Sequence, residues 1–161
     1  NLKSEMIKIE NFVGNKKKIN LEELTELTNL AENYSINKVV DMSLAKNTKQ
    51  TLRALNENIF TTEDVIIIIR SFLIKSKRLL KLNNELKKNK SIDQVIASTK
   101  PPIFWKDKAL VKKQMQNWKK KNIETLIENI NDIELLVKKN NNSAINILQD
   151  FIIEQTLKVN N

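Results

Sequence analysis

This chain of 161 residues has no cysteine, no histidine, one glycine and two prolines. Each scarcity excludes something. Without Cys there is no disulfide framework and no thiolate metal site. Without His the commonest general base and the commonest metal ligand are missing. A single Gly cannot build the phosphate cradle of a GxxxxGK[ST] loop. Sheets with tight turns need Gly and Pro as punctuation, so the chain is expected to be all-helical. The longest apolar run, Val65 to Ile69, stops at Arg70. A membrane span needs about twenty such residues, so no membrane partner is expected.

What remains is enough for a core. Apolar residues make up 40% and charged residues 29%, which suits one good core or two small ones. The chain opens at Asn1 without Met and carries no secretory signal, so it reads as a fragment of a larger, cytoplasmic protein. Abundant Asn, Lys and Ile point to an AT-rich genome. Part of the lysine content then reflects codon usage.

The formal charge is +9, and it is concentrated. Between Arg70 and Lys121 sixteen Lys and Arg face three acids, Glu85, Asp93 and Asp107. The same stretch holds both prolines and both tryptophans, in TKPPIFWKDKALVKKQMQNWKKKN. A positive surface interrupted by aromatics suits a phosphate-facing face. The competing reading is the solvated side of ordinary helices.

Helical periodicity runs along the whole chain. Leu2, Met6, Ile9 and Val13 predict a first helix, stopped by Gly14, and Asn20 with Glu23 opens a short one to Leu30. Ser35 is expected to cap a segment with Ile36, Val39, Val40 and Leu44 on one face. Asn47 separates it from a helix through Leu52 and Leu55. Thr61 and Asp64 resemble a capping pair for a long helix from Glu63 to Lys88, whose first half is apolar nearly all round and belongs at a bundle centre. Ser91 caps a short helix through Val95 and Ile96. Pro101 and Pro102 enforce an extended turn, after which Val111, Met115 and Trp118 share one side of a helix with lysines on both edges. Asn122 is expected to cap a stripe of Ile123, Leu126, Ile127, Ile130, Ile133 and Val137. Ser143 is expected to cap a last helix through Ala144, Leu148, Phe151 and Ile152. The fold expected is an antiparallel helical bundle over 33–161, behind a small helical remnant over 1–32.

The order of these pieces resembles the C-terminal part of the delta subunits of bacterial DNA polymerase III clamp loaders. The segments that carry it are NLKSEMIKIENFVG and INLEELTEL, then YSINKVVDMSLAKNTKQTLRALNEN and EDVIIIIRSFLIKSKRLLKL. PPIFWKDKALVKKQMQNW and IETLIENINDIELLVKKN follow. The resemblance is diffuse and spans nearly the whole chain. It implies that residues to about Glu32 end an AAA+ lid domain and that the rest is a collar domain. In the family the collars of different subunits hold a pentamer together, and delta opens the sliding clamp through an N-terminal domain that this chain lacks. The partners implied are delta-prime and tau/gamma subunits through the collar, and primed DNA without sequence preference. The expected role is non-catalytic, with no cofactor and no metal.

Candidate residues follow. Lys106, Lys108, Lys112, Lys113, Lys119, Lys120 and Lys121 are candidates for phosphate contact, against the reading as a solvated face. Trp105 sits at an exposed turn, where a ring either stacks on an unpaired base or anchors the loop. Trp118 falls on the apolar side and is expected in the core. Phe151, Ile152, Ile153 and Leu157 are candidates for a subunit interface, and in a monomer they would be core. Glu124, Glu128, Asp132 and Glu134 are better read as a solvated flank than a cation site. An alternative function is a free-standing DNA- or RNA-binding protein. In it, Ser91 to Ala97 and Lys106 to Trp118 would form a helix-turn-helix-like pair.

Overall fold

A computed structural model describes residues 34–86 and 91–158. The two helices expected before Leu30, and with them the lid-like remnant over 1–32, lie outside these residues. The described residues form an all-α bundle without strands. Helix α1 covers residues 34–44, α2 Thr48–Glu57, α3 Thr62–Leu86, α4 Ile92–Ser98, α5 Lys108–Asn117, α6 Lys120–Lys139 and α7 Ala144–Leu157. Short 3-10 turns, Trp105–Asp107 and Asn141–Ser143, lead into α5 and α7.

Helix starts follow local chemistry, with three exceptions. Asn47 accepts from the Gln50 N–H at 3.2 Å and opens α2. Thr61 and Asp64 exchange bonds: the Thr61 N–H donates to the Asp64 carboxylate at 2.7 Å, and the Asp64 N–H to Thr61 Oγ1 at 3.4 Å. Ser91 and Gln94 close a full capping box for α4, the reciprocal arrangement that satisfies two orphan donors. Ser35, by contrast, lies inside α1. Asn122 lies inside α6, which begins at Lys120 with Lys119 in the cap position and no side-chain cap. Ser143 occupies the cap position of α7 but makes no capping bond, because a 3-10 turn already precedes that helix.

The centre is α3, which packs on α6 most extensively and also touches α4, α5 and α7. Val65, Ile68, Ile69, Phe72, Leu79 and Leu82 of α3 are buried against Ile123, Leu126, Ile130 and Val137 of α6 and Leu148, Phe151 and Ile152 of α7. Phe72 and Phe151 meet edge to face at 5.8 Å. Each such side chain stabilises the fold by about 1.5–3 kcal/mol on burial. The apolar-all-round expectation for α3 holds on one side only. Ile67 and Ile74, seven residues apart, are exposed, Ile74 at 69%. Among the described residues, no element covers that side of the helix at Ile67 and Ile74.

The α1–α2 corner is a Schellman turn. The Asn47 N–H reaches the Met42 carbonyl at 3.0 Å and the Lys46 N–H the Ser43 carbonyl at 2.9 Å. Lys46 occupies the left-handed position at φ 54°, which is usually glycine. Its ammonium donates to the Gln155 carbonyl and lies 4.0 Å from the Trp118 ring centroid. Desolvation pushes that amine from its ordinary 10.5 to about 8, and the charge of Lys158 acts in the same direction.

Two predictions arise from this corner. Trp118 is 2% exposed and its indole N–H donates to the Leu44 carbonyl at 2.7 Å. Trp118→Phe keeps most of the apolar bulk but orphans that carbonyl, so urea denaturation should show a loss of about 1–3 kcal/mol. For Lys46, the unfolded chain holds its proton to about 10.5 and the folded chain only to about 8. Between those values the unfolded state binds more protons, so the stability contribution of Lys46 rises with pH. Measured against Lys46→Met, the native protein should therefore gain stability between pH 8 and pH 10.5. A flat difference would show that the ammonium is fully solvated.

Candidate nucleic-acid interface

The basic run reaches the surface in three places. The first is the corner where α5 ends and α6 begins. Trp118 terminates α5 in an extended conformation, and Lys119, Lys120 and Lys121 then occupy the first positions of α6. Trp118 turns into the core, which leaves the lysines outside. A helix N-terminus carries a partial positive charge, so cations there are unfavourable by about 0.3–1 kcal/mol each. The Lys120–Glu124 pair at 3.5 Å offsets part of this. Lys119 and Lys121 are exposed and have no carboxylate partner among the described residues. Lys119 and Lys121 thus leave two exposed ammonium groups at a helix start without a side-chain cap, and a helix start is where an anion can be received.

The second place is the Trp105–Asp107 turn at the head of α5. The loop before it contains the cis Lys100–Pro101 bond. Ile103, only 7% exposed, pins the loop to the core. Phe104 and Trp105 do not anchor it; they stand out at 58% and 68% exposure. Their rings are 5.8 Å apart and tilted by 48°, with the Lys106 ammonium 5.2 Å from the Trp105 centroid. An exposed indole beside a cation can lie against a base.

The remaining candidates separate. Lys106, Lys108 and Lys113 are exposed without an ion-pair partner among the described residues. Lys112 is engaged: its ammonium donates to both carboxylate oxygens of Asp93 at 2.8 Å, joining α5 to α4. Phe151 and Ile152 are buried within this chain, so they offer no atoms to a neighbour. Their helix face meets α3 and α2 rather than solvent. Ile153 is half-buried and Leu157 exposed. Glu124 pairs with Lys120 and Glu134 with Lys138. Among the described residues no three acidic side chains converge as a metal site, and no helix is long and apolar enough to cross a membrane.

A further basic cluster emerges only in the fold. Lys77, Arg78 and Lys81 lie on one side of α3, facing Lys100 across a groove beside Phe104. The i, i+1, i+4 spacing of the first three is the one signal the sequence offers. Without the fold, nothing joins them to a loop twenty residues away.

No family model, no curated protein and no solved structure matches this chain significantly.

The start of α6 yields a stability prediction with an unusual sign. Lys119→Asp installs a capping carboxylate where a cation stands, so the variant should be more stable by about 0.5–2 kcal/mol in chemical denaturation. Lys139→Asp, the same charge change at the other end of α6, should destabilise it.

Proposed function

We propose that this chain is a non-catalytic assembly module of a DNA replication machine, the C-terminal part of a clamp-loader delta-type subunit. In this reading the bundle is a collar that joins delta-prime and tau/gamma partners in the cytoplasm. The α5–α6 corner faces the phosphates of primed DNA. The observation that carries the DNA side is the set Lys119, Lys120 and Lys121 at an uncapped helix start. That choice costs helix stability, and an anion seated there would offset the cost. The assembly side is supported by the order of the resembling segments. It is also supported by apolar groups left exposed at Ile67, Ile74, Leu135 and Leu157, which a subunit contact would cover. Phosphate contact through lysines positions DNA without reading it.

A second reading, a free-standing nucleic-acid binder, is favoured by one fact: α4 packs on α5 as a helix pair. Its weakness lies in the side chains. A reading helix presents Arg, Asn or Gln to base edges. On α5, Gln114 is buried and donates to Asp41, while the Asn117 amide donates to the Ala45 carbonyl at 2.8 Å. Gln116 alone of these types is left exposed on α5, beside Lys108 and Lys113.

Charge reversal tests the DNA side. A variant with Lys106, Lys113, Lys119 and Lys121 changed to Glu should keep its helical circular dichroism, because these side chains lie outside the core. It should bind primed DNA more weakly, equally for unrelated sequences. The log–log salt slope should fall by roughly one for each phosphate no longer neutralised. Unchanged affinity and slope in the folded variant would leave the basic run as a solvated surface. Co-purification with delta-prime and tau/gamma collar domains tests the assembly side, and failure to associate with either counts against it.

A further inference from the structure

The groove between the second half of α3 and the Thr99–Phe104 loop has a composition of its own. Its volume is ≈ 510 Å³. The floor is Leu82 and Ile103, both buried, and one wall is the exposed ring of Phe104 with Pro101 and Pro102. Lys77, Arg78, Lys81 and Lys100 stand around the rim. None of the four has a carboxylate within ion-pair distance among the described residues, and Asp107 is the one acid in the lining.

Two polar groups beside the floor are already used. The Thr99 hydroxyl donates to the Val95 carbonyl at 2.7 Å, and the Lys100 carbonyl accepts from the Lys81 ammonium at 3.3 Å. The rest of the floor is the buried side chains of Leu82 and Ile103, and a polar edge set against them unpaired is costly to desolvate. The floor therefore suits a group that makes no hydrogen bonds. Lys77, Arg78 and Lys81 stand within about one helical turn, roughly 6 Å of rise. Such a cluster, with Lys100 of the loop in the same lining, can meet a few closely spaced anionic groups flanking the apolar floor.

We infer that this groove docks an acidic peptide segment carrying one large apolar side chain. That side chain seats on Leu82, Ile103 and Phe104, and flanking carboxylates meet the cationic rim. Charge complementarity selects the partner and steers its approach, while the buried anchor holds it. The inference is independent of the clamp-loader reading, because it uses none of the lysines of the α5–α6 corner.

The probe is a short fluorescein-labelled peptide of aspartates with one central phenylalanine, titrated with the 161-residue chain and followed by anisotropy. Saturable binding is expected. Alanine in place of the peptide's phenylalanine, Phe104→Ser in the protein, and Arg78→Glu with Lys81→Glu should each weaken it by about tenfold or more. All three protein positions are exposed, and the peptide control leaves the protein untouched. Lys119→Asp should leave binding unchanged; an equal loss there would move the peptide to the α5–α6 corner and overturn the assignment. An oligothymidylate of equal charge that competes as well as the peptide would overturn it too, making the groove a nucleic-acid contact. An alanine peptide that binds equally well would reduce the groove to a general anion surface. Absence of saturable binding overturns the proposal outright.

Discussion

The C-terminal end of α1 is a helix terminus inside the protein, and the rest of the bundle is arranged around it. The last carbonyls of a helix have no partner within it, and burying them unmet is costly. Here Leu44 O is met by the Trp118 indole and Ala45 O by the Asn117 amide, while the Gln114 amide adds a second donor to Asp41 O beside the Ala45 N–H. Ser43 completes the set through Thr156 and the Ile152 carbonyl. These donors come from α5 and α7, more than seventy positions further along the chain. One terminus thus fixes where α5 must end and how α7 must return, and the apolar faces then close over α3.

That constraint also explains the α5–α6 corner. Trp118 must leave helical geometry to aim its ring at α1, so α5 stops there and α6 starts at once. The cap position itself falls to Lys119, whose side chain makes no capping bond, and Lys120 and Lys121 follow in the first turn. Lys46 shows a related compromise. A lysine takes a left-handed position at some backbone cost, and its ammonium is partly desolvated beside Trp118 and the Gln155 carbonyl. Such local departures from helix rules are expected where tertiary or functional demands win. At Lys46 the demand is visible as tertiary contacts. At Lys119, Lys120 and Lys121 the one side-chain ion pair among the described residues is Lys120–Glu124.

Two surfaces of different chemistry result from one basic run. Around the start of α6 the cations stand at a helix end without a side-chain cap. Along α3 they border an apolar floor. The same lysine count therefore permits a phosphate contact in one place and an anchored acidic segment in the other. The difference lies in what the neighbouring elements place beneath the charge.

Much of this was legible in the chain. Scarcity of Gly and Pro with 3.6-residue periodicity specified helices, and Asn47, Thr61 with Asp64, and Ser91 marked three of their starts, because a cap is a contact within four residues. The burial of Val111, Met115 and Trp118 followed from spacing alone. What local reasoning missed was decided at long range. Ile67 and Ile74 are exposed although their segment is apolar, because exposure depends on where neighbouring helices end. Asn122 is not a cap, because the turn of Trp118 into the core set the start of α6. Lys112 is engaged by Asp93, and Lys77, Arg78 and Lys81 meet Lys100, only once α4 and α5 pack back on α3. Periodicity gives each helix its apolar face, but a site is a meeting of faces, and only the tertiary fold decides which ones meet.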